Sequence, residues 1–194
     1  MTGRTHDTAA FTALAIAVAV TPLPQNITLA TVLVAILANQ IGGIAPDIDQ
    51  PTAPFWRNLP IGKLFGRFTD RLLGGHRFLT HSLLGAALLA WLAHWLLVFI
   101  HPLMPHVDID LVWKAFLIGV VSHLVMDTFT KEGVPWLLPI PLKFGFPPLK
   151  SLRIATGKFV ENFIIFPGLI LVNIFVCAQH YQAIVTFIHT RIRS

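Results

Sequence analysis

Eight imidazole and carboxylate side chains occur in short clusters along the chain: His6, Asp47, Asp49, His76, His81, His123, Asp127 and Glu161. His123 and Asp127 are four apart, which places them one turn apart on one face of a helix. At that spacing they can share a metal ion, or bond to each other. Asp47 and Asp49 set two like charges side by side. A cation between them relieves the repulsion; a solvated loop after Pro46 would leave each facing water. His76 and His81 are five apart, which is not a same-face spacing. The pair works only if His76 lies on a loop, as Gly74-Gly75 favours, and His81 lies near a helix start with Thr80 as N-cap. A single cysteine, Cys177, excludes a disulfide framework and a Cys-rich zinc site. Imidazole and carboxylate donors without thiolate suit zinc, with manganese or iron as alternatives. Eight candidates exceed one four-coordinate ion. Two divalent ions, or one ion with an outer shell of ligand-orienting groups, account for them better. Water at such an ion has its pKa lowered toward about 7, which supplies a nucleophile at neutral pH.

The elements that must carry these residues are apolar. Of 194 residues, 55% are hydrophobic and only 12% charged, and the mean hydropathy is +0.71. Soluble domains carry about 25% charged residues, so composition points to an integral membrane protein and excludes disorder. Five stretches approach the roughly 20 apolar residues a spanning helix needs: Thr8–Pro24, Ile27–Ala45, Ser82–Ile100, Leu111–Thr130 and Phe163–Ile188. The expected fold is therefore all-α: one polytopic helical-bundle domain over residues 1–194. Pro22-x-Pro24 makes the first two stretches a hairpin, which fits a retained span better than a cleaved signal. The fifth stretch ends in a basic tail and could lie partly along the interface.

Eleven of the fourteen basic residues fall on three alternating segments: the N-terminus, residues 46–81 and residues 131–160. By the positive-inside rule these face the cytoplasm. The net charge of +5 then reads as contact with anionic lipid headgroups, not nucleic acid. The same topology brings all eight candidates to one membrane face, whereas unrelated cap and loop residues would scatter over both. A carboxylate or imidazole inside a bilayer is costly enough to mark a functional site.

These pieces together resemble the YdjM-like, LexA-regulated family of bacterial inner-membrane proteins. The matching residues are Thr5-His6, Pro46-Asp47-Ile48-Asp49, His76-Arg77-x2-Thr80-His81-Ser82, Gly119-x3-His123-x3-Asp127-x2-Thr130 and Thr156-Gly157-x3-Glu161. The match runs from about Met1 to Pro167. Phe78 stands where the family often has Gly, and Gln50 where it commonly has His; neither removes a candidate ligand. The resemblance implies a membrane-bound metal-dependent hydrolase. Arg77 and Glu161 are then the candidate catalytic residues, with Arg77, and after it Lys150 or Arg153, available to hold a phosphate. The expected substrate is a phospholipid or another membrane-embedded ester. Two other readings stay open: a metal- or proton-coupled transporter, and a scaffold whose metal only ties helices together.

Overall fold

The structure is a computed structural model, and it describes residues 1–22, 24, 26–50, 62, 78–140 and 142–192. Among the described residues there are six α-helices: α1 (Gly3–Val20), α2 (Leu29–Ile44), α3 (Leu83–Ile100), α4 (Ile109–Thr128), α5 (Phe166–Gln179) and α6 (Tyr181–Ile192). The chain is an all-helical polytopic membrane bundle. Four segments are long and apolar enough to cross a bilayer: Leu29–Asp49, Leu83–Leu103, Ile109–Thr128 and Glu161–Gln179. Helix α1 is outside that group, because Arg4, His6 and Asp7 make its first turns polar; it packs against α2, α4 and α5. The fifth apolar stretch carries the span Glu161–Gln179 and then breaks. It divides at His180, where the apolar run gives way to Gln179-His180-Tyr181-Gln182.

Helix starts follow local chemistry. Thr28 caps α2 by accepting from Thr31 N at 3.1 Å. Asp108 caps α4 by accepting from the backbone of Asp110 and Leu111. Helix α3 is capped by Ser82, which accepts from Gly85 N at 3.0 Å. The sequence reading placed Thr80 in that role; the cap two residues later leaves the Thr80 hydroxyl for other work. Helix α2 runs into a 3₁₀ turn, Ala45–Asp49, with Pro46 at its start. Proline is tolerated there because the first-turn N–H groups have no helical partner.

The bundle's axis is the α2–α4 contact. A Cβ on Gly119 would sit 2.2 Å from Asn39 O, and one on Gly42 only 2.1 Å from Phe116 O. Only glycine permits that approach, the usual device for packing membrane helices. Asn39 Nδ2 donates to Ala115 O across the same seam at 3.1 Å. Phe116, Val120, Leu124 and Val134 form the adjoining apolar core. The outer faces of α3 and α5 expose large apolar side chains such as Trp91, Leu96, Phe99, Leu171 and Phe175, as lipid-facing surfaces do.

Candidate metal centre

The largest fully buried side chains include His6, His81, His123 and Glu161 beside Leu124 and Val120. Ionisable groups are almost never fully buried unless paired, so this end of the bundle is built around them. Helix α1 brings His6, the 3₁₀ turn brings Asp47 and Asp49, the residues before α3 bring His81, and the last two turns of α4 bring His123 and Asp127.

Two imidazole nitrogens face each other and two carboxylate oxygens. His123 Nε2 lies 3.3 Å from His81 Nε2, 3.6 Å from Asp47 Oδ1 and 3.8 Å from Asp127 Oδ2. His81 Nε2 lies 3.5 Å from Asp47 Oδ1 and 3.6 Å from Asp127 Oδ2. Good hydrogen bonds to nitrogen run about 2.7–3.2 Å, so the one-turn His123–Asp127 pair is not simply bonded to itself. Four ligands held tetrahedrally at about 2.0–2.1 Å from a zinc ion would stand about 3.3–3.4 Å apart. The five separations cluster at and just above that spacing.

Each imidazole is oriented from behind. His123 Nδ1 contacts Gly43 O at 2.6 Å. A carbonyl only accepts, so Nδ1 carries the proton and Nε2 presents its lone pair to the cluster. Thr80 donates its hydroxyl proton to Asp49 Oδ2, and its oxygen lies 3.1 Å from His81 Nδ1. That oxygen can accept from Nδ1–H, which points His81 Nε2 inward. Asp49 Oδ2 is itself 3.5 Å from His81 Nδ1. Asp49 therefore stands behind His81, while Asp47 stands in front. Burial alone would lower the His81 pKa, but Asp127, Asp47 and Asp49 around it push it up to about 10. A cation entering the cluster must displace that proton.

His6 forms the flank. Its ring stacks on His123 with centroids 3.7 Å apart, and its Nε2 lies 3.3 Å from Asp127 Oδ1. The Met1 amino nitrogen contacts the same oxygen. His6 Nδ1 is buried with no hydrogen-bond partner among the described residues. Two ligand triads result, His6–His123–Asp127 and Asp47–His81–His123. They share His123.

Glu161 stands apart from both triads. Its Oε1 accepts from Thr2 N, Thr2 Oγ1 and Thr5 Oγ1 at 2.7, 2.6 and 2.7 Å, and its Oε2 from Gly157 N at 2.7 Å. Gly157 has φ +73°, a conformation glycine adopts freely. Glu161 thus ties the start of α1 to the start of the last spanning segment. Arg153 donates to Pro147 O at 2.7 Å and Pro148 O at 3.0 Å, which commits its guanidinium to the loop. His76 and Arg77 lie outside the described residues. The sequence reading missed Thr80 as a carboxylate donor, the Gly43 carbonyl, and Thr2 with Thr5. A motif spacing gives little signal for any of them, since each acts through a partner far along the chain.

The family model of the YdjM inner membrane proteins matches residues 1–188. The chain belongs to this family. Among curated relatives it is similar to the inner membrane protein YdjM of Escherichia coli and its Shigella flexneri counterpart, 32% identical over 126 residues in each case. That match covers 62% of this chain and 56% of the relative. It is also similar to the uncharacterized protein YvsG of Bacillus subtilis, 27% identical over 125 residues, covering 64% of this chain and 67% of the relative. The chain thus spans little more than half the length of the YdjM relatives it matches. No solved structure matches it significantly. Across this YdjM-family chain, the matched region takes in all six residues that meet at the cluster.

Proposed function

We propose that this YdjM-family protein is an inner-membrane, metal-dependent hydrolase that cleaves a phosphoester of a membrane lipid. One observation carries the reading: five separations of 3.3–3.8 Å link the imidazole nitrogens of buried His81 and His123 to each other and to carboxylate oxygens of buried Asp127 and half-buried Asp47, with both imidazoles held from behind. Asp47, His81, His123 and Asp127 would hold a divalent cation, with zinc favoured by the donor set. His6 and the second oxygen of Asp127 flank that position and could take part in holding a second ion. A divalent cation in such a site supplies a Lewis acid for a phosphoryl oxygen and lowers the pKa of water. Asp49, through Thr80, and the Gly43 carbonyl fix the two imidazoles. Glu161 holds α1, and with it His6, against the cluster. Arg77 is assigned to binding the phosphate. The basic segments before α3 and after α4 support a cytoplasmic site and N-terminus.

The test is turnover in reconstituted vesicles of mixed phospholipids, with zinc or manganese, read by mass spectrometry of lipid products. The expected result is product that depends on metal and disappears in Asp127→Ala. Turnover unaffected by that change would overturn the reading, as would metal-driven flux across the vesicle without hydrolysis.

A further inference from the structure

Between the end of α4 and the start of the last spanning segment lies a structured loop with a two-sided character. It is not a slack connection. Val134 and Phe144 exchange both backbone hydrogen bonds at 2.8 Å. Phe146 N donates to Thr128 O at 2.9 Å, and Lys131 N to Ile154 O at 3.0 Å, which ties the loop to the end of α4. Arg153 fastens the far limb through the Pro147 and Pro148 carbonyls. Yet this braced loop turns large apolar side chains outward: Leu142 is 61% exposed, Phe146 59%, Leu149 65%, Leu152 65% and Phe159 67%. Leu142, Phe146, Leu149 and Leu152 lie outside the spanning helices, so crossing the hydrocarbon core does not account for them; Phe159 enters the last spanning helix two residues before Glu161.

The charge pattern says what covers them. Three of these apolar residues have a lysine next to them in sequence: Leu142-Lys143, Leu149-Lys150 and Lys158-Phe159. All three lysines are exposed. Residues 131–158 hold five basic residues and a single acidic one, Glu132. An apolar side chain beside a long cationic one suits the headgroup boundary, where the apolar group enters the acyl layer and the ammonium meets phosphate. A second copy docking through this surface would bring lysines against lysines, which is unfavourable.

We propose that the loop of residues 131–160 is an interfacial anchor that inserts into an anionic phospholipid leaflet at the end of the bundle carrying the histidine–aspartate cluster. This does not depend on the cluster binding metal or on any hydrolysis.

The full-length chain with Cys177→Ser, its only cysteine, allows single cysteines at positions 142 and 149 to be labelled with an environment-sensitive fluorophore. The protein is placed in vesicles of phosphatidylcholine alone or mixed with phosphatidylglycerol, with acyl chains brominated near the headgroup or left plain. A cysteine at Val98, exposed on spanning helix α3, serves as the lipid-facing control. The expected result is blue-shifted emission and loss of fluorescence in brominated vesicles at both loop positions. The shift should be larger with phosphatidylglycerol, and the increment should vanish when Lys143, Lys150 and Lys158 are all changed to Gln. Iodide quenching equal to that of free dye would overturn the proposal. So would equal shifts in both vesicle types, or cross-links between copies through the loop without quenching by lipid.

Discussion

The two ends of the bundle use the same residue types for opposite purposes. At one end Asp108 is exposed and accepts backbone N–H bonds at 3.0 and 3.1 Å. Thr28 and Thr31 bond to each other and across to the segment before α4: Thr28 donates to His106 O at 3.0 Å, and Thr31 accepts from Asp108 N at 3.0 Å. There Thr28, Thr31 and Asp108 each bond to a complementary partner. At the other end Asp47, Asp127, His81 and His123 point their inner atoms at one another from separations too long for good hydrogen bonds. The outer atoms of His123, His81 and Asp127, in contrast, are bonded to Gly43 O, Thr80 Oγ1 and the Met1 amino group. Capping accounts for Thr28 and Asp108 at the first end. The second has the form of a shell around something positively charged.

Chelation should separate the ends most strongly. A bound ion stabilises by mass action, about 4 kcal/mol at a thousandfold excess over Kd. The Tm of the purified protein should therefore fall on chelation, and the Tm of His123→Ala should not respond. An equal response in the variant would erase the distinction.

Asp49→Asn asks whether the residue behind His81 differs from those in front. Asn still accepts from Thr80, so the change should weaken metal affinity by about 10–100-fold while keeping full stoichiometry at saturating metal. Loss of the ion altogether would move Asp49 into the shell itself.

Proton release tests the electrostatics of the same ring. In the metal-free protein His81 is held as imidazolium, with its pKa pushed up to about 10. Its unfolded value is near 6.5. That pairing contributes stability fully below about pH 6.5 and loses it as pH rises through about 10. Metal uptake runs the other way: affinity should rise up to about tenfold per pH unit across neutrality, and calorimetry in buffers of different ionisation enthalpy should show proton release. A pH-independent affinity would contradict the assignment of His81 as a ligand.

The smallest effect belongs to the capped end. Asp108→Ala should cost about 1 kcal/mol of stability and leave the metal content unchanged. A variant that lost metal would show that the ends are coupled.

The convergence of His6, Asp47, His81, His123 and Asp127 was legible because helix order alone puts alternate ends on one side. The one-turn spacing of His123 and Asp127 was legible for the same geometric reason. The division between Asp47 and Asp49 was not. Both sit on a short 3₁₀ turn, and only the positions of Thr80 and His81, more than thirty residues on, decide which faces the cluster. Glu161 looked like a ligand by type and depth. Gly157 is a local partner, but the other two, Thr2 and Thr5, lie about 156–159 residues away, beyond any local pattern. Thr80 and Ser82 are both good caps, and the choice between them was made by Asp49. The break at His180 carries no Gly or Pro, only a polar interruption in an otherwise apolar run.

The central claim is that this cluster is a cation shell, and metal content tests it most directly. Elemental analysis of the purified protein should find a divalent metal bound stoichiometrically, and the His123→Ala/Asp127→Ala double variant should insert in the membrane yet lose it. Full stoichiometric metal in that variant, or none in the parent protein after purification with zinc or manganese present, would contradict the account.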